Sequence, residues 1–207
     1  MEIEYKGGNC VVISSKQSTF VVDNKLSAVG LKDILPNDAI ELSTQPGLVT
    51  GKGRVVIDMP GEYEVSDVSV LGIPASRLID HDGTQKSTIY KISLEDLTIV
   101  IIGHIATPLS DDQLESIGTV DIMVVPVGGN GYTLDARHAV EGVRKINPQV
   151  IIPTHYAEKG INYEVPQDSL ELFLKELGGA HEVAPKWKVK NGVLPEVQTV
   201  FELTRTS

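Results

Sequence analysis

Three short apolar runs, Leu97–Ile102, Val120–Pro126 and Val150–Pro153, alternate with stretches of helical spacing, and this alternation is the tightest constraint on what the chain can fold into. Each run is short for a buried helix but long enough to cross a sheet. Between the first two, Ser110–Ile117 has helical spacing behind a serine suited to an N-cap. Between the second and third, Leu134–Ile146 puts Ala136, Ala139, Val140, Val143 and Ile146 on one stripe. A strand that is followed by a helix returns to the sheet in the same direction, so β-α-β-α-β predicts parallel neighbours and an α/β class.

The chain before Lys91 has a different texture. Short β-branched runs, Cys10–Ser14, Thr19–Asp23, Arg54–Asp58 and Val65–Leu71, stand between turn signals and predict a mostly antiparallel sheet. A last helix is expected over Gln167–Leu177, stopped by Gly178-Gly179, and strands near Trp187–Lys190 and Val197–Leu203 close the chain. No linker, low-complexity segment or short repeat interrupts the 207 residues, so one domain over 1–207 is expected.

The 18 basic and 28 acidic residues give a formal charge of -10 without any long acidic run. A nucleic-acid partner is disfavoured, because backbone phosphates call for a basic stripe. No stretch approaches the roughly 18 apolar residues of a membrane span, and Met1–Lys6 lacks the order of a signal peptide, so a cytoplasmic protein without membrane contact is expected. Cys10 is the single cysteine, which excludes internal disulfides; leading Val11-Val12-Ile13, it reads as a small core residue.

Chemistry is best sought in the three loops that follow the three parallel strands. They hold Gly103-His104, then Val127-Gly128-Gly129-Asn130-Gly131-Tyr132-Thr133, then Thr154-His155-Tyr156. In open α/β sheets the carboxyl ends of the strands form the ligand crevice, so the three loops should share one rim. The glycine loop fits neither phosphate-binding fingerprint and reads first as a tight turn at positive φ, with Thr133 capping the next helix. Of five histidines, His138 is expected to be exposed near a helix start and His181 to sit in a loop. His81 belongs to the polar turn Asp80-His81-Asp82-Gly83. His104 and His155 remain as acid-base or ligand candidates, against a purely structural role for both. Glu62 and Glu64 share one strand face and read as surface charge.

The segment Val124–Ala136, followed by Ile151-Ile152-Pro153-Thr154-His155-Tyr156, resembles metallo-β-lactamase-fold hydrolases, closest to small bacterial metal-dependent hydrolases related to ascorbate-phosphate lactonases. Gly61–Val65 with Val68-Ser69-Val70, Pro108–Leu114, Lys6–Cys10 and Phe20–Asp23 are similar as well. The resemblance implies a four-layer αββα sandwich with metals at the shared edge. It also implies a His-X-His-X-Asp-His motif after a strand near Ala39–Ser43, where this chain reads Ser43-Thr44-Gln45-Pro46-Gly47-Leu48-Val49-Thr50. No His, Asp, Glu or Cys occurs from Leu42 to Ile57. The family's early His is here Gly8, its later one is replaced around Ser76 or Arg77, and its bridging Asp is His104; His155 alone keeps its expected place.

A dinuclear zinc site takes about six or seven nitrogen and oxygen ligands, so these substitutions predict none. The expectation is no cofactor, or at most one weakly bound zinc on His155 and His104, with water or a nearby carboxylate such as Asp80 or Asp82 completing the shell. His155 and His104 are the catalytic candidates, and Asn130, Tyr132, Thr133 and Tyr156 the substrate-binding ones. Three functions stay open: a metal-free descendant that binds a small molecule or protein partner at the rim, a hydrolase of a small ester, lactone or phosphorylated substrate with a reduced or metal-free site, and a structural or assembly subunit. Homo-oligomer formation is also open.

Overall fold

The computed structural model describes residues 1–77, 86–189 and 193–206. Fourteen strands among them form two sheets. The first comprises β1 (Glu2–Gly7), β2 (Cys10–Ser14), β3 (Thr19–Val22), β4 (Ile40–Leu42), β5 (Val55–Ile57) and β13 (Trp187–Lys188), in the order β13-β1-β2-β3-β4-β5. The second comprises β6 (Gly61–Val65), β7 (Val68–Ser76), β8 (Lys86–Leu94), β9 (Leu97–Ile101), β10 (Ile122–Pro126), β11 (Val150–Thr154), β12 (Ala180–Ala184) and β14 (Thr199–Leu203). Its order is β12-β14-β11-β10-β9-β8-β7-β6.

The parallel set is where the alternation placed it: β10 pairs in parallel with both β9 and β11, with Ile122 opposite Ile99 and Val150. All five residues of β10 and of β11 are buried, as strands covered on both faces must be. The helices between them are α1 (Asp111–Ile117) and α2 (Ala136–Ile146). Ser110 opens α1 with a full capping box, its hydroxyl accepting from the Gln113 amide while the Gln113 side chain accepts from the Ser110 amide. The stripe of α2 buries Ala139, Val140, Val143 and Ile146.

The first half is mostly antiparallel as expected, with β3-β4 and β4-β5 as parallel exceptions. Other expectations differ from the structure. Val65–Leu71 is not one strand: Ser66 and Asp67, at φ 56 and 58, form a two-residue turn that folds β6 onto β7. Thr133 does not cap α2; Asp135 does, accepting from the His138 amide. The last helix, α3 (Leu170–Leu177), begins three residues late behind Ser169, which releases Gln167 into an irregular segment. His181 lies on β12 rather than in a loop, 3.0 Å from Glu202. The predicted strand end at Lys190, like the turn Asp80-His81-Asp82, falls outside the described residues.

One apolar cluster joins the two sheets, with Ile3, Tyr5 and Ile40 from the first meeting Ile73, Ile89 and Ile99 from the second. A smaller one, Cys10, Val12, Val21, Leu26 and Ala39, lies on the outer face of the first sheet beneath a 3-10 turn, Leu26–Val29. Cys10 is fully buried, as expected of a core residue. No described helix is long and apolar enough to cross a membrane.

Candidate functional site

Five strand ends meet at one rim. β3 delivers Asp23, β4 delivers Thr44, β9 leads to Gly103-His104, β10 opens the glycine loop and β11 delivers His155. Gly103 is required where it stands: at φ 65, and with a Cβ that would lie 2.5 Å from Thr44 Cβ, it lets the strand end of the second sheet approach that of the first. Gly128 serves the same purpose against β11, because a Cβ there would lie 2.1 Å from the His155 carbonyl oxygen.

The centre of the rim is a cluster of rings. His104 and His155 meet edge to face with centroids 4.8 Å apart. Tyr132 stands 5.2 Å from His104 and stacks on His155 at 5.6 Å, while Tyr163 packs on His155 at 4.5 Å. The rings border a cavity of about 120 Å³ that Gly8, Asn9, Asp23 and Gln167 also line, with Lys25 and Glu164 exposed at its margin. That is well below the roughly 300 Å³ at which drug-sized pockets begin, so it suits a small ligand.

Beneath the rings lies a buried polar network. Asp23 accepts from Asn9 Nδ2 at 2.8 Å, from the Thr44 amide at 2.8 Å and from the Thr44 hydroxyl at 2.6 Å. Thr154 donates in turn to Asn9 Oδ1 at 2.7 Å, so β11 is tied to β3 through two side chains. Burial pushes the Asp23 carboxyl up to about 6, and the three hydrogen bonds limit the rise. Its donors are all neutral.

Partners also fix the protons of both histidines. The only proton of the Thr44 hydroxyl goes to Asp23, so at 3.5 Å Thr44 Oγ1 acts only as an acceptor for His104 Nδ1–H. Gln167 uses its amide nitrogen on the Val165 carbonyl, so its Oε1 accepts from His155 Nδ1–H at 3.1 Å. Each Nε2 is then a bare lone pair. His104 Nε2 is buried with no hydrogen-bond partner among the described residues. Burial lowers the basicity of both rings, His155 to about 4; His104 is also held well below the usual imidazole range, by burial first and then by the neighbouring His155 and Arg77. Both rings are neutral at pH 7.

The structure thus brings together His104, His155 and Tyr132 and leaves the other candidates aside. Asn130 is exposed in the glycine loop, 3.4 Å from Asp168, and does not line the cavity. Thr133 turns inward to accept from the Gly129 amide, stabilising a loop in which Gly129, Asn130 and Gly131 all have positive φ. Tyr156 stacks on Tyr5 in the core, its ring 5.9 Å away. His138 is bonded to Asp135 at the start of α2, away from the rim. Glu62 and Glu64 are exposed on β6. The residues that the sequence reading missed are Asn9, Asp23, Thr44, Tyr163 and Gln167. Asp23 carried a usable signal, an acid directly after a buried strand, the same signal that singled out the histidines.

Among the described residues, no three His, Cys, Asp or Glu side chains come together at metal-binding spacing. Asp23 has its oxygens committed to Asn9 and Thr44, and Thr44 offers only a hydroxyl that is itself committed. The described donors do not fit a dinuclear centre.

Known proteins share this architecture. Residues 2–155 match the family described as the beta-lactamase superfamily domain. A solved Thermotoga maritima protein of the metallo-β-lactamase superfamily is similar at TM-score 0.73 and 27% identity, covering 98% of this chain and 99% of that one. A metallo hydrolase from Ignicoccus hospitalis is similar in fold at TM-score 0.59 and 18% identity, covering 85% of this chain and 89% of its own. A metal-dependent hydrolase of Carboxydothermus hydrogenoformans is 42% identical over 43 residues, 21% of this chain and 19% of that relative, so the match spans about a fifth of its length. The chain has the metallo-β-lactamase fold and belongs to the beta-lactamase superfamily.

Proposed function

We propose that this chain has exchanged the family's metal chemistry for a hydrogen-bonded pocket and binds a small ligand there without a dinuclear centre. The observation that supports this most is Thr44. In the loop where the family pattern supplies imidazoles and a carboxylate, its hydroxyl and amide both hold Asp23. Hydroxyl and amide groups are poor zinc ligands beside imidazole, thiolate and carboxylate. At most one zinc is held, weakly, by His155 and His104. His104, His155 and Tyr132 contact the ligand; Thr44, itself held by Asp23, orients His104, and Gln167 orients His155. The test is the thermal midpoint of protein made in zinc-supplemented medium, with and without a strong chelator. An unchanged midpoint is expected, because removing a metal destabilises only a native state that binds it. A large fall would contradict the proposal.

A second reading keeps hydrolysis of a small ester, lactone or phosphorylated substrate. It is favoured by His104 Nε2, a buried bare base in the pocket wall whose Nδ1–H is backed by Thr44 and Asp23. Nε2 would take the proton of an attacking water. Turnover of p-nitrophenyl acetate that disappears in His104→Phe supports this reading, and no turnover by the wild type removes it.

A further inference from the structure

We infer that the occupant of the His104–His155 pocket is a small primary ammonium, a cation that donates N–H groups to imidazole nitrogens. The inference rests on the metal-free reading above and names the ligand class. It begins with a mismatch in the pocket wall. Both imidazoles have their protons turned outward, to Thr44 and to Gln167, so what they offer the cavity are acceptors. One of these, His104 Nε2, is on a residue 3% exposed and has no partner among the described residues. A buried polar atom without a partner is costly, and the cost vanishes when a ligand supplies the missing donor.

The charge points the same way, from an independent group. Asp23 lines the same cavity, and three neutral hydrogen bonds hold its carboxylate. Buried carboxylates are ordinarily matched by a cation. The aromatic lining adds to the preference, since Tyr132 and Tyr163 border the cavity and aromatic rings attract an ammonium electrostatically. An anion would find the reverse: bare lone pairs, a like charge at Asp23 and donors already committed. Lys25 is exposed at the margin, where water screens it, and Glu164 stands exposed beside the same opening with the opposite sign. The Arg77 charge makes the His104 ring a weaker base, and His104 Nε2 still has no hydrogen-bond partner among the described residues. The volume of about 120 Å³ limits the ligand to a few non-hydrogen atoms, or to the ammonium end of a longer chain that leaves through the opening.

Ethylammonium chloride is the probe, titrated into the full chain and followed by the side-chain 15N signals of the histidines and by calorimetry. Acetate, tetramethylammonium and zinc chloride serve as comparisons. The expected result is saturable ethylammonium binding that shifts the unprotonated Nε2 signals, with tetramethylammonium weaker because it has no N–H, and acetate unbound. Asp23→Asn should weaken binding at least tenfold. Because that variant removes a buried network and can fail to fold, His104→Phe, checked for native circular dichroism, should also weaken it about tenfold, the loss of one charge-assisted hydrogen bond. Acetate binding in preference to ethylammonium, ethylammonium that does not bind, or affinity unchanged in His104→Phe would overturn the inference and leave the metal-free reading standing. Tight uptake of two zinc ions per chain would overturn that reading itself.

Discussion

Thr44 holds Asp23 twice, through its backbone amide at 2.8 Å and its hydroxyl at 2.6 Å, and the same hydroxyl oxygen faces His104 Nδ1 at 3.5 Å. One short side chain therefore orients a carboxylate of the first sheet and an imidazole of the second. Thr44→Val keeps the shape but removes the hydroxyl, leaving Asp23 with one donor fewer in a fully buried position. Urea unfolding should show a loss of about 1–3 kcal/mol, and Thr44→Ser should recover most of it. Equal stability of Thr44→Val and wild type would mean that the network does not hold the rim.

Acid stability should report the neutral histidines. His155 has its pKa lowered from 6.5 to about 4, so its contribution is fully present above pH 6.5 and is lost as pH falls through 4. His104 acts in the same direction. Asp23 opposes them: with its pKa raised from 3.8 to about 6, its contribution is present below pH 3.8 and is lost as pH rises through 6. Two terms against one leave a net fall in stability from pH 6.5 to 4. His155→Phe removes a term worth about 3 kcal/mol at most and should flatten that limb. A limb as steep as that of the wild type would show that His155 is not buried as a neutral ring.

Backbone approach at the rim predicts a contrast between two glycines. Gly128→Ala would press a methyl group against the His155 carbonyl oxygen, a backbone atom that cannot turn aside, so a loss of several kcal/mol or failure to fold is expected. Gly131→Ala meets open space and should cost only about 1 kcal/mol for its positive φ. Thermal midpoints of the two variants check this, and comparable losses would contradict it.

Cys10 should be silent to thiol reagents in the folded protein. It is fully buried, and burial raises its thiol well above the ordinary pKa, so the thiolate is both scarce and inaccessible. A colorimetric disulfide reagent should titrate no thiol in the native state and one per chain in denaturant. Rapid native reaction would be inconsistent with the core around β2.

The sequence was most legible where periodicity and burial coincide. β9, β10 and β11 are covered on both faces for nearly all of their length, so each appears as a largely apolar run, and α2 shows its stripe because only one side faces the sheet. Direction in the first half was less legible: whether β4 runs with β3 or against it depends on the path of residues 23–39, which is irregular apart from one 3-10 turn. Within the site, His104 and His155 stood out because imidazoles after buried strands need a reason. Thr44 and Asn9 did not, since Thr and Asn are ordinary turn residues and their importance comes from a pairing across two sheets. Tyr163 and Gln167 lie in a segment without period, and only the tertiary fold brings them against His155.

The zinc content of purified protein bears most directly on the central claim. Protein expressed with added zinc, desalted and analysed for metal and for chain concentration should carry less than one tightly held zinc per chain, because Thr44 and its neighbours supply hydrogen bonds where the family pattern supplies ligands. Two zinc ions per chain that survive desalting would contradict the account.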